Sequence, residues 1–107
     1  MTLDFETMQD LQKKFQEKHK GKWQELCPEV GRDRILWMII EAGEMADVIK
    51  KRGDDRIMQD EETRKHFIEE MCDTLMFFND VMLCYQITPE ELTQAYYDKF
   101  DKNLGRW

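Results

Sequence analysis

The chain has 107 residues, of which 41% are hydrophobic and 36% charged, a balance that fits one domain spanning residues 1–107 with an ordinary water-facing surface. Its formal net charge of −7 argues against general binding to nucleic-acid polymers, which rewards a broad basic face. The sequence shows neither an apolar stretch of about 20 residues nor a charged-then-apolar leader, so no membrane partner is expected and the expected compartment is the cytoplasm. Three cysteines, Cys27, Cys72 and Cys84, form an odd count without CxxC or Cys/His spacing. That excludes a zinc knuckle or disulfide framework as the organising feature and suggests free thiols, with Cys72 and Cys84 buried in apolar helical sequence.

The apolar spacing predicts a first helix over residues 4–19, with Leu3, Phe5, Met8, Leu11 and Phe15 along one stripe and Gly21 ending it. A loop carrying Trp23, Cys27, Pro28 and Gly31 follows. A second helix is predicted over residues 33–52, with Asp33 as N-cap and Gly53 as the stop. Its first half, Ile35 through Ile40, is apolar nearly all round, the pattern of a helix buried on several sides or pressed into a subunit interface.

Residues 53–60 read as a charged connection. A third helix is predicted over residues 61–85, with Phe67, Met71, Leu75, Phe78 and Met82 on one face. The run Thr88-Pro89-Glu90-Glu91 combines a capping-box pattern with proline at the first helical position and starts a fourth helix toward residue 104. The expected fold is therefore all-α, a four-helix antiparallel bundle. Because so short a chain gains little core of its own, oligomerisation into a homodimer or homotetramer is expected to complete it.

Residues three apart on a helix point in directions about 60° apart, so Glu41 and Glu44 share one face and Glu70 and Asp73 share another. Met45 and Val48 continue the first face and Phe77 and Val81 the second, which sets the acids inside apolar stripes. Like charges about 4 Å apart repel by roughly 4 kcal/mol at an effective dielectric of 20. Four converging carboxylates thus call for a cation or for shifted pKa values. The alternative, that all four are solvated surface charges, stays open from pattern alone.

Metal type follows from the donor set. Neither acidic pair carries the histidine of a Glu-x-x-His di-iron motif, and His66, four residues before Glu70, has the polar neighbours of a surface histidine. All-oxygen ligation favours Mg²⁺, with Mn²⁺ as a substitute.

The segments Glu41-Ala42-Gly43-Glu44-Met45-Ala46, Glu69-Glu70-Met71-Cys72-Asp73 and Lys99-Phe100-Asp101-Lys102-Asn103-Leu104-Gly105-Arg106 together resemble the MazG-like all-α nucleoside-triphosphate pyrophosphatases, a superfamily that includes dimeric dUTPases and dCTPase-type enzymes. The resemblance covers residues 35–107. It implies metal ligation by Glu41, Glu44, Glu70 and Asp73, and Mg²⁺-dependent hydrolysis of a nucleoside triphosphate between its α- and β-phosphates, with Glu41 or Glu44 polarising the attacking water. Family members often carry a further acid where this chain has Ile40.

Lys99, Lys102 and Arg106 suit charge-assisted hydrogen bonds to a triphosphate, and Asn103 suits donating or accepting one. Their competing role is to offset the helix macrodipole. Trp23, in a loop with Lys20 and Lys22, is the candidate for stacking on a base, with packing against the helices as its alternative. Trp37, Met38, Met71, Met76 and Met82 read as core. Two other functions fit the same sequence: a non-catalytic helical interaction module, and a related hydrolase acting on another phosphorylated nucleotide.

Overall fold

The computed structural model describes residues 1–106 of the chain. It is all-helical, with α1 (Phe5–Lys18), a 3₁₀ turn (Pro28–Val30), α2 (Gly31–Arg52), α3 (Asp54–Gln59), α4 (Glu61–Cys84) and α5 (Pro89–Arg106). No β-strand occurs among the described residues.

Local chemistry sets most of the boundaries. Asp4 caps α1 by accepting the Thr7 N–H at 2.7 Å, and Asp60 caps α4 by accepting the Thr63 N–H at 3.1 Å. The capping box at α5 forms reciprocally: the Thr88 N–H donates to Glu91 at 3.0 Å and the Glu91 N–H donates to the Thr88 hydroxyl at 3.1 Å. Gly53 ends α2 with φ of 84°, a left-handed geometry that glycine adopts without steric cost.

Two expectations change here. The described residues form five α-helices rather than four, because residues 54–59 form α3. Asp54 and Asp55 occupy its first turn, where acids favour the positive end of the helix dipole. The second predicted helix begins two residues early, at Gly31, so Asp33 lies within its first turn and does not cap it.

Helices α2 and α4 form the main packing pair, and α1 and α3 both lie on α4. Arg52, at the end of α2, donates to the Thr63 hydroxyl at 3.3 Å; that hydroxyl donates in turn to Asp60. This chain of bonds ties the end of α2 to the start of α4 around a fully buried Thr63. At the other end, the Tyr85 ring lies so close to Gly31 that a methyl group there would collide with it. The Tyr85 hydroxyl donates to the Pro28 carbonyl at 3.4 Å.

The core is unexpectedly polar. Val30, Val48, Ile57, Met82 and Cys84 are buried, but so are Gln9, Gln12, Thr63, Asn79 and Asp80. The buried amides of α1 each find a partner, as they must to avoid a desolvation penalty. Gln9 donates to the Ile87 carbonyl at 3.0 Å and Gln12 donates to Asp80 at 2.7 Å. The α1 stripe is therefore only partly inward: Phe5 meets Phe78 at 6.0 Å, whereas Leu3, Leu11 and Phe15 are exposed. Trp37, Met71 and Met76, expected in the core, are exposed too, and of the two cysteines expected to be buried only Cys84 is.

Exposed apolar side chains extend along α2 and α5, from Ile35, Leu36, Ile39 and Ile40 to Tyr96, Tyr97, Phe100 and Leu104. Helix α5 buries no residue and makes no substantial packing against another helix of the chain. The accessible surface is 8631 Å², against about 6,300 Å² for a compact monomer of this mass. The radius of gyration is 16.3 Å, against about 13 Å for a compact domain of this length.

Candidate metal centre and adjoining pocket

Helices α2 and α4 run antiparallel, and their facing residues form a ladder. At its middle, Trp37 of α2 stacks on Phe77 of α4 with ring centroids 6.2 Å apart. One turn further along α2, Glu41 meets Glu70 and Asp73 of α4. Each offers a carboxylate oxygen, and the three oxygens lie within 4.8 Å of one another. In the other direction the charge of Arg34 acts on Asp80. All of these residues recur at three- or four-residue spacing on their helices, which is why one face carries the whole series.

Electrostatics at the acidic end show the strain of convergence. The Glu41 carboxyl is pushed above its ordinary value of 4.5, first by desolvation and then by the charges of Asp73 and Glu70, a hydrogen bond with Glu70, and the charge of Glu44. The proton is held more tightly because a charged Glu41 would be poorly solvated and would face the neighbouring acids. His66 lies 3.7 Å from Glu70 through Nε2, so the histidine read as a surface residue also borders the acidic cluster.

The donor set fits a small hard cation. Octahedral Mg²⁺ holds its oxygens at about 2.1 Å, so neighbouring ligand oxygens sit about 3 Å apart and opposite ones about 4.2 Å; the three carboxylates, with oxygens within 4.8 Å of one another, would close further on such an ion by side-chain rotation. Glu44, the fourth predicted ligand, lies outside the triad. It is exposed one turn along α2 and influences both Glu41 and Lys51 electrostatically.

A cavity of about 560 Å³ opens beside the triad, within the usual range for small-molecule sites. Glu41 and Asp73 line it together with Trp23, Arg34, Trp37 and Phe77. Its polar lining includes Asp80, whose carboxyl burial pushes above its ordinary value while the Gln12 hydrogen bond and the Arg34 charge pull it down. Trp23 reaches the cavity because Gly21, with φ of 87°, reverses the chain after α1. The indole then stacks on His19 at 3.8 Å and meets Phe15 edge-on at 5.0 Å. The loop tryptophan thus both packs and lines the cavity.

None of Lys99, Lys102, Asn103 and Arg106 lines this cavity; all four lie on α5. Sequence reasoning missed Gln12, Arg34 and Asp80. The available signal was Asn79-Asp80 interrupting the apolar run from Leu75 to Cys84, at the heptad spacing that continues Glu70 and Asp73 along α4.

No family model, no curated protein and no solved structure matches this chain.

Proposed function

We propose that the chain is a Mg²⁺-dependent nucleoside-triphosphate pyrophosphohydrolase that works as a homo-oligomer. The observation that carries this reading is the Glu41, Glu70 and Asp73 triad opening onto an aromatic-lined cavity large enough for a nucleoside. The sequence resemblance to MazG-like enzymes supports the choice of reaction.

In this reading Glu41, Glu70 and Asp73 would hold the cation, with Glu44 as a fourth ligand. A cation held there would neutralise charge on the phosphates. Glu41 or Glu44 takes a proton from the attacking water, whose oxygen bonds to the α-phosphorus as the bond to the bridging oxygen of the β-phosphate breaks. Pyrophosphate leaves and a nucleoside monophosphate remains. Catalysis rests on positioning and electrostatics, since no covalent chemistry is asked of the protein.

The exposed faces of α2 and α5 support assembly with a second copy. The surface excess of roughly 2,300 Å² over a compact monomer exceeds what one side of a stable interface buries. Assembly also offers Lys99, Lys102, Asn103 and Arg106, which lie outside the cavity of their own chain, a route to the phosphates: α5 of one copy would deliver them to the triphosphate held by another.

The test is a panel of nucleoside triphosphates incubated with Mg²⁺ and assayed for pyrophosphate. Turnover that vanishes in Glu70→Ala supports the reading. Folded, metal-loaded protein that releases no pyrophosphate from any of them leaves the exposed helix faces as evidence for an interaction module instead.

A further inference from the structure

The ladder between α2 and α4 ends away from the acids in a second polar group. Asp80 is 8% exposed, accepts the Gln12 amide N–H at 2.7 Å, feels the charge of Arg34 and lines the cavity. Arg34 lines it too, and its Nε is buried without a hydrogen-bond partner. Seven residues separate Asp73 from Asp80 on α4, a rise of about 10 Å, comparable to the reach of a nucleotide from its α-phosphate to the far edge of its base. Trp37 and Phe77 form the rung between the two polar ends.

We propose that this end of the cavity reads a guanine base, with the Asp80 carboxylate accepting from the ring N1–H and the 2-amino group and Arg34 donating to the 6-oxo group. The inference rests on the phosphates lying at the triad, as in the proposed reaction. Guanine is singled out by its edge: it alone among the common bases presents two adjacent donors next to an acceptor. A carboxylate offers two adjacent acceptors, and a guanidinium offers only donors. Adenine and cytosine place an acceptor beside their amino group, and uracil sets one donor between two acceptors, so each leaves a buried group at this site unpaired. Gln12 acts as a positioning residue by fixing one Asp80 oxygen.

The experiment measures quenching of tryptophan fluorescence, to which Trp23 and Trp37 at the cavity report, by guanosine, inosine, xanthosine and cytidine monophosphates in Mg²⁺ buffer. For the wild type, guanosine monophosphate should bind about 10- to 100-fold more tightly than xanthosine monophosphate, the range for one bidentate base contact. Inosine monophosphate, lacking the 2-amino group, should fall between. Asp80→Asn keeps an oxygen for Gln12 but exchanges an acceptor for a donor, which should reverse the guanosine and xanthosine order, because xanthine carries a 2-oxo group.

Indifference to the base, preference for cytidine monophosphate, or an Asp80→Asn variant with the wild-type order overturns the inference. The wild-type series alone decides the matter if the variant does not fold. Triphosphate hydrolysis without base preference would refute the guanine site and leave the enzymatic reading standing. Guanine preference without hydrolysis would do the reverse.

Discussion

Replacing Glu41 by glutamine should make the metal-free protein more stable and its response to Mg²⁺ weaker. The Glu41, Glu70 and Asp73 oxygens lie within 4.8 Å of one another. At that separation two unit charges repel by roughly 1 kcal/mol in water and by about 3.5 kcal/mol at an effective dielectric of 20. Glu41 is only partly covered, which places its two repulsions nearer the aqueous limit, so their removal should stabilise the fold by about 1–2 kcal/mol. That corresponds to a rise in melting temperature on the order of 4–8 °C per kcal/mol for a domain of this size.

The sign with pH follows from the raised Glu41 pKa. The folded state holds this proton more tightly than the unfolded chain does, so stability declines as pH rises from about 4.5, the unfolded value, through the raised folded value. The penalty is complete above that window. On the proposed reading Mg²⁺ should reverse it for the wild type, because a ligand at 100 times its Kd adds about 2.7 kcal/mol. Differential scanning calorimetry with chelator and with Mg²⁺ should therefore show the two proteins exchanging order. A Glu41→Gln protein that melts lower than the wild type in chelator, or both proteins shifting equally with Mg²⁺, would refute the reasoning.

Gly31→Ala drives a methyl group into the Tyr85 ring and should cost about 1–3 kcal/mol, read by urea denaturation; Tyr85→Leu in the same chain should recover part of that loss. Gln12→Leu removes the donor to the buried Asp80 carboxylate, for an expected loss of about 1–3 kcal/mol by the same method. Phe100→Glu on the exposed face of α5 should lower the molar mass measured by light scattering, and retention of the wild-type mass would remove α5 from the interface. The Asp60 carboxyl is held below its ordinary 3.8 chiefly by its hydrogen bonds with Thr63. It supports the fold above that value and the support is lost as pH falls through the lowered one, so Asp60→Ala should flatten the acid limb of a stability-against-pH curve.

Helix ends were legible wherever the sequence carried its own cap. Thr88 and Glu91 announce α5, and Gly53 marks the end of α2, through chemistry confined to four or five residues. The short α3 was hidden because its Asp-rich start is also what a charged loop looks like. Periodicity placed Glu41, Glu70 and Asp73 together because the spacing repeats on both helices, but it could not settle how far Glu44 stands from them, which depends on the rotation of α2 against α4. Burial was the least legible property. An apolar stripe on α1 argued for Leu11 inside, while the fold buries Gln9 and Gln12, whose amides bond the Ile87 carbonyl and Asp80. Exposed Trp37, Ile39 and Phe100 show why: hydrophobicity marks a side chain for burial without saying whether its own chain or another covers it.

In the proposed reaction water attacks the α-phosphorus of a nucleoside triphosphate. That attack is tested most directly by running the Mg²⁺ reaction in heavy-oxygen water and weighing the products by mass spectrometry. The expected products are a nucleoside monophosphate carrying one heavy oxygen and an unlabelled pyrophosphate. Release of a nucleoside diphosphate and orthophosphate, label in the pyrophosphate, or no product from any triphosphate would contradict it.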